Sequence, residues 1–246
     1  MSSSAPAAAP RARRVAFLAP MVPELRPLVR RLRLARAASP PGLYTGQAGG
    51  VELAATLGGI GTGPAAEATE RLLDAWPADL VVVVGIAGAV GPTLALGATI
   101  APERVLDVES GVERRPAALP GVTPRGLLAT SGRFIVELAE IARLERRGVV
   151  AIDMETSAVA AVCERRGVPW AAFRAISDRA GDPAVDRSIL ALGGADGRGD
   201  AAAVARYLLA RPWRVVLLAR LARGMRRATN AAAHAAVDAI SAARPR

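Results

Sequence analysis

Three carboxylates and one arginine stand where side chains commonly leave the edge of a sheet. Residues 149–152 (Val-Val-Ala-Ile) form an apolar run of buried-strand length. Asp153-Met154-Glu155 follows where that run passes into residues 156–166, whose Ala158, Val159 and Val162 recur at helical spacing. A second apolar run, 168–176, carries Arg174 and delivers Ser177-Asp178 to its end. Two strands joined by a helical crossover are expected to run parallel, which puts Glu155 and Asp178 on one edge, where ligands bind in such sheets. Far upstream, Glu24 follows another short apolar run, 15–19. Carboxylates gathered without a metal cluster suit acid–base work on a bond whose transition state is cationic, as in glycoside cleavage. Helix capping and pairing with the abundant Arg would account for one such acid more readily than for three at strand ends beside Gly-rich loops.

The elements that must position these groups can be read along the chain. Residues 15–19 predict a buried strand, and Pro20 to Glu24 turn the chain into an amphipathic helix over 25–37, ended by Ser39-Pro40-Pro41-Gly42. Residues 43–45 and 51–57 predict two more strands. Gly58-Gly59-Ile60-Gly61-Thr62-Gly63-Pro64 then forms a turn opening a helix over 65–75, and such a loop brings backbone N–H groups close to an anion. Gly61-x-Gly63-x-x-Ala66 superficially matches a dinucleotide fingerprint, but the next strand carries no acid at its tip to hold a ribose, so no nicotinamide cofactor is expected. A strand over 81–84 feeds a Gly-rich loop over 85–91, and 96–102 reads as a turn plus strand. Residues 107–126, polar and rich in Gly and Pro, are expected to wander over the site. A strand over 127–130 leads through Ser131-Gly132-Arg133-Phe134-Ile135 to a helix over 136–147. After Asp178 come a loop over 179–187, a Gly-rich stretch over 193–200 and two helices divided by Pro212. On the second, Trp213, Leu217, Leu221 and Met225 share one face, with Arg220, Arg223, Arg226 and Arg227 opposite. Strands alternating with helices predict an α/β domain built on a mainly parallel or mixed sheet.

Composition narrows the class. Of the 246 residues, 52% are hydrophobic but only 3% aromatic, so the core must be built from Ala, Val, Leu and Ile. The net charge of +10 is carried entirely by Arg and concentrates at the ends, while 41–200 holds 15 Arg against 20 acids. Basic ends most commonly form a solvated face, and they could also meet nucleic acid or an anionic membrane surface. Nucleic acid is not expected, because aromatics are not interleaved with the Arg clusters. The one cysteine, Cys163, reads as a buried thiol in a helix and implies a reducing, cytoplasmic setting. With His234 the only histidine, neither a His-based metal site nor a Ser-His-Asp triad is expected, and no metal or cofactor is called for. The 23 uncharged residues between Asp79 and Glu103 are long enough to span a bilayer, but five Gly and Pro residues (Gly85, Gly88, Gly91, Pro92, Gly97) favour a buried strand and loops. The chain divides into a leader (1–13), a catalytic domain (14–190) and a basic helical extension (191–246).

Three blocks carry a resemblance to a known family. Val83-Val84-Gly85-Ile86-Ala87-Gly88 with Leu96-Gly97-Ala98, Asp153-Met154-Glu155-Thr156-Ser157-Ala158, and Arg174-Ala175-Ile176-Ser177-Asp178 resemble motifs of the nucleoside phosphorylase and nucleosidase superfamily. The likeness is greatest to its methylthioadenosine/S-adenosylhomocysteine nucleosidase branch, over roughly residues 14–190. It implies a three-layer phosphorylase/hydrolase-like fold with a central mixed sheet, and a small nucleoside as substrate. It further implies that Asp178 protonates N7 of the purine, Glu155 binds the ribose hydroxyls, Met154 packs on the sugar and Glu24 activates water. Phe134 would stack on the base while the backbone of Ile135 reads its edge. Gly61, Ile86, Ala87, Gly88, Arg174 and Ser177 fall in the matching loops, and members of the family are typically dimers or larger assemblies. The sequence departs from the pattern at Ile86, where a serine is usual, at Asp153, usually Glu, and at Thr156, usually a small residue. The tail, with Arg211-Pro212-Trp213, resembles hopanoid-associated phosphorylase-like proteins, which implies adenosylhopane as an alternative substrate. Two further readings stay open at this point: phosphorolysis of a purine nucleoside, and a non-catalytic membrane-surface protein.

Overall fold

A computed structural model of the chain describes residues 12–181, 206–207 and 214–243. The loop expected after Arg179 lies mostly outside them, as do the Gly-rich stretch 193–200, most of the helix before Pro212, Trp213, the side chain of Leu217 and residues 1–11.

The elements follow in the order β1 (Arg14–Ala19), α1 (Val22–Arg31), β2 (Ala35–Arg36), β3 (Tyr44–Ala48), β4 (Val51–Leu57), α2 (Thr62–Ala75), β5 (Leu80–Ala89), β6 (Thr99–Ile100), β7 (Arg104–Asp107), β8 (Glu113–Arg114), β9 (Leu127–Thr130), α3 (Leu138–Arg146), β10 (Val149–Asp153), α4 (Thr156–Arg165), β11 (Trp170–Arg179) and α5 (Val215–Ala242). One mixed sheet carries the strands in the order β2-β3-β4-β1-β5-β10-β9-β7-β8, with β11 and then β6 branching from β5. The fold is therefore α/β with a central mixed sheet flanked by helices, as the resemblance implied.

Both faces of the sheet are covered, and the central strands show it residue by residue. Ala16, Leu18, Val81 and Val83 point into a core shared with α2 and α4, while Val15, Phe17, Val82 and Val84 point into one shared with α1 and α5. A strand buried on both faces needs no polar alternation, so a continuous run such as Leu80 to Val84 is a strand and not a membrane span. Among the described residues no helix is long and apolar enough to cross a membrane. The second half of α5 lies on the sheet through Ala228, Ala232, Ala236 and Ile240, small side chains that let the helix approach closely. Its first half is open, with Val215 and Val216 52% and 63% exposed and Arg220, Arg223, Arg226 and Arg227 exposed beside them.

Four expectations are corrected. Helix α1 ends at Arg31, short of 37. Arg33 adopts φ 52°, and the N–H groups of Arg33 and Leu34 turn back to the carbonyls of Arg30 and Val29, a Schellman-type stop that frees Ala35–Arg36 to pair with β3. Strand β5 continues through Gly85, Ile86, Ala87 and Gly88, expected to be loop, because β11 pairs with it all the way to Ala89. Residues 115–126 do not cover the candidate site. Strand β9 runs parallel to β7, so the chain must return to the starting end of the sheet, and Ala117 N–H bonds the carbonyl of Trp170 at the far end of β11.

The fourth correction concerns strand direction. Strand β11 is parallel to β5, but β10 is antiparallel to it, pairing only Ala151 with Ala89 and Ile152 with Gly88. Glu155 and Asp178 therefore do not leave parallel strands side by side. They approach the same stretch of β5 from opposite directions.

Candidate active site

The site forms at a fork in the sheet. Strand β1 accompanies β5 as far as Val83, and β10 joins it only at Gly88. Between them, Ile86 sends its N–H to Glu24 Oε1 (2.8 Å) and receives Arg174 Nη1 at its carbonyl (3.3 Å). Backbone groups that a neighbouring strand would otherwise satisfy are thus available to side chains.

Glu24 occupies the first turn of α1, where its Oε2 also accepts the N–H of Met21 (2.8 Å), the reciprocal arm of a capping arrangement. It is 1% exposed. Burial, with Glu155 adding to it, pushes its pKa up to about 8 against the opposing pull of Arg174. Glu155 caps α4 with 5% exposure and accepts the N–H of Gly61 at 3.0 Å. Gly61 has φ 94°, a conformation that favours glycine, and so aims its N–H at the carboxylate. Burial and Asp153 raise the pKa of Glu155, again opposed by Arg174.

Arg174, on β11, is completely buried. Its Nη2 pairs with Asp153 and lies 3.3 Å from Glu155 Oε2, and its Nε and Nη2 reach Thr156 Oγ1 at 3.2 and 2.9 Å. Burial alone would lower its pKa, but Asp153, Glu155 and Glu24 raise it, so it stays a cation. Gly85 makes this packing possible. A Cβ there would overlap Arg174 Nη1 and sit 2.5 Å from Glu24 Oε1.

Asp178 stands four residues further along β11, opposite Gly88. A bulge between Ile176 and Asp178 shifts the register and re-aims the side chains there. Ser177 Oγ donates to Asp178 Oδ1, and Asp178 Oδ2 lies 3.6 Å from where a Cβ on Gly88 would be, so the carboxylate rests over β5. Asp178 is half-buried, unlike the acids around Arg174.

The fork thus brings together Glu24, Gly61, Ile86, Glu155 and Arg174 by direct bonds, with Ser177, Asp178 and Gly88 beside them. Ala87 is buried within β5, and Met154 is half-buried between Asp153 and Glu155. Phe134 and Ile135 belong to the segment before α3. Ile135 packs in a core cluster against which Ala180 leans, so this segment adjoins the end of β11, although its side chain faces the core. Two cavities of ≈ 380 and ≈ 570 Å³ lie elsewhere, under α5 beside Thr99 and Ala235. Of the described residues, Asp238 is the only carboxylate lining the first and His234 the only titratable side chain lining the second, so neither gathers paired carboxylates. Among the described residues no three His, Cys, Asp or Glu side chains are grouped to hold a metal ion.

Sequence reasoning noted Asp153 and Thr156 chiefly as departures from a motif, read Gly85 as part of a loop and passed over Thr130. Asp153 Oδ1 accepts Thr130 Oγ1 at 2.5 Å, and Oδ2 accepts the Thr156 hydroxyl and N–H, so all three belong to the site's frame. The spacing Asp153-x-x-Thr156 at a strand-to-helix junction was the signal available for the first two.

Comparison with known proteins agrees with this fold. The structure matches that of 5′-methylthioadenosine nucleosidase from Arabidopsis thaliana in apo form (TM-score 0.73, 17% identity, 96% of this chain and 98% of that one). It also matches a mutant Helicobacter pylori nucleosidase with 5′-methylthioadenosine in the active site (0.69, 15%, 93% and 98%) and the futalosine hydrolase of the same organism (0.69, 15%, 93% and 97%). A family model described as the phosphorylase superfamily matches residues 14–124 and 112–209, and with most of its length covered the chain belongs to that superfamily.

Proposed function

We propose that this protein is a nucleosidase that hydrolyses the N-glycosidic bond of a 5′-modified adenosine and releases adenine. The observation that carries the reading is the pairing of two kinds of acid at one fork: the dry cluster of Glu24 and Glu155 on Arg174, and the half-buried Asp178 beside it. Asp178, aligned by Ser177, gives a proton to N7 so that the base leaves neutral. Glu155 accepts bonds from the ribose hydroxyls, with Met154 against the sugar, and the carboxylates stabilise the oxocarbenium-like charge that develops only in the transition state. Phe134 stacks on the base, and the backbone of Ile135 bonds its edge. Glu24 takes a proton from the attacking water, and a pKa near 8 suits a base working close to neutral pH. Gly61, Ala87 and Gly88 form the walls.

Hydrolysis is favoured over phosphorolysis because the Arg174 guanidinium is already engaged by Asp153, Glu155, Thr156 and the carbonyl of Ile86, leaving it poorly placed to hold phosphate. The test is adenine release from methylthioadenosine, S-adenosylhomocysteine, adenosine, inosine, futalosine and a hopanoid-linked adenosine, each with and without phosphate. Release without phosphate is expected. Strict phosphate dependence overturns hydrolysis, and no release from any of them overturns the whole reading.

One observation favours a lipid-linked substrate such as adenosylhopane as a second reading. The open half of α5 carries four exposed arginines and two exposed valines, and Gly224 at its inner end lies against Ser177, with a Cβ there 3.6 Å from the Ser177 carbonyl. A basic, apolar helix leaving the rim of the site suits contact with an anionic membrane from the cytoplasmic side. Sedimentation with phosphatidylglycerol vesicles but not phosphatidylcholine vesicles is expected, and equal binding to both overturns the electrostatic contact. The working unit proposed is a homodimer, which light scattering tests.

A further inference from the structure

We infer that Asp153 and Thr156 act as a matched positioning pair, a short acid and a bridging hydroxyl that together fix the Arg174 guanidinium and, through it, Glu24 and Glu155. The inference deepens the catalytic reading and rests on it only for what those two glutamates do to substrate.

Stoichiometry makes the pair specific. A threonine hydroxyl has one proton and two lone pairs. Thr156 gives its proton to Asp153 Oδ2 and uses its oxygen to receive Arg174 Nε and Nη2. Asp153 reaches the guanidinium at Nη2, and its other oxygen is taken by Thr130 Oγ1. The Thr130 hydroxyl oxygen in turn receives the N–H of Ser157 at 3.0 Å, and Ser157 Oγ donates to Asp107 at 2.8 Å. The chain of bonds thus ties together the ends of β7, β9 and β10, the start of α4 and the side chain from β11. Thr130, Thr156 and Arg174 are 0% exposed, Ser157 1% and Asp153 4%, so water cannot substitute for any missing member.

On its other side the guanidinium lies against β5, where the absent Cβ of Gly85 leaves no spare room. Asp153 and Thr156 thus fix its Nε and Nη2 edge, while the Ile86 carbonyl receives Nη1 and Glu155 lies at Nη2. Aspartate is one methylene shorter than glutamate, and the Thr156 hydroxyl lies between its carboxylate and the Nε edge of the guanidinium. The pair also sets charge. Glu24 faces Arg174 from β11 and Glu155, while Glu155 faces Arg174 and Asp153 from β10, and Asp153 offsets the cation that would otherwise draw Glu155 toward ionisation.

The test compares Thr156→Val, which keeps the shape and removes the hydroxyl, with Thr156→Ser, which keeps the hydroxyl, and with Asp153→Asn. On the nucleoside that the unmodified protein cleaves, kcat and KM are measured across pH, with thermal unfolding at each pH. Thr156→Val and Asp153→Asn are expected to lower kcat ~10- to 100-fold with little change in KM. The pH profile of kcat is expected to move toward acid in Asp153→Asn, because Glu155 then loses a neighbour that raises its pKa. Thr156→Ser is expected to stay close to the unmodified protein. The inference is overturned if Thr156→Val keeps both kcat and pH profile, or if Thr156→Ser falls as far as Thr156→Val. If no nucleoside is cleaved, the catalytic reading fails but the pair is still tested. Stability should fall with rising pH less steeply in Asp153→Asn than in the unmodified protein, and an unchanged slope overturns the inference.

Discussion

Arg174 and Arg166 each gather carboxylates, and the contrast between them separates what pairing does from what burial does. Arg166 holds Glu70 at 2.9 Å and Asp74 at 2.8 Å on the outer surfaces of α4 and α2, with Arg165 reaching Glu70 at 2.7 Å. Arg174 holds Asp153 and Glu155 inside the sheet fork with Glu24 nearby. The surface cluster makes the shorter contacts to its glutamate, yet its carboxylates sit in high dielectric beside mobile side chains, where such pairs contribute little. The interior cluster sets three carboxylates against one guanidinium, away from the solvent that would share the charge. Its two glutamates therefore hold protons more tightly, and Glu24 is pushed up to about 8. The same side-chain chemistry is neutral decoration in one place and a device for storing protons in the other.

Removing each arginine's partners, or the arginine itself, should magnify that contrast. Arg174→Met should have the largest effect, abolishing turnover and destabilising the protein by about 3–5 kcal/mol, since it strands buried acids. The loss should be greater at pH 9 than at pH 5, where the acids can protonate. Denaturant unfolding at both pH values checks this, and an equal loss at both argues against charge as the cause. Asp178→Asn should lower the rate of base release ~10²- to 10⁴-fold while leaving thermal stability nearly unchanged, because this acid is half-buried and outside the Arg174 cluster. Rate and melting temperature measured on one preparation test the split.

Changing pH alone should also expose the interior cluster. The pKa of Glu24 is raised in the folded state, so the stability it permits is fully present below its unfolded value of 4.5 and is lost as pH rises through about 8. The unmodified protein should therefore lose stability between about pH 4.5 and about pH 8. Glu24→Gln should flatten that slope, and parallel slopes for the two proteins would sink the assignment. The smallest effect is expected at the surface. Glu70→Gln should change stability by about 0.2–1 kcal/mol or less, and high salt should shrink even that difference.

The sequence made part of this site legible because part of it is local. Arg174 to Asp178 lie within one strand, and Glu155 lies two residues beyond another, so strand reading alone put them near a common edge. The core was equally readable. Alternate residues of β1 and β5 enter the two cores that a doubly covered sheet requires. The end of α1 was not readable, since Arg33 takes a left-handed conformation that residue type alone would assign to glycine. Nor was the full length of β5. Gly85 and Gly88 signal a loop in isolation, whereas here they permit close approach of Arg174, Glu24 and Asp178. Asp153 and Thr156 were visible chiefly as deviations from a motif, because their joint role depends on a guanidinium about 18–21 positions away.

What the sequence determined by itself was the inventory: an α/β chain with an Ala- and Val-rich core, acids at strand ends and one arginine among them. These follow from periodicity and residue type, which act over a few residues. The tertiary structure decided the rest. Strand direction is a long-range property, and only the antiparallel docking of β10 on β5 brings Glu155 and Asp178 to the same stretch of β5 from opposite directions. The fork between Val83 and Gly88 exposes Ile86 to Glu24 and Arg174, and burial at that fork, which no local pattern encodes, turns two ordinary glutamates into proton carriers.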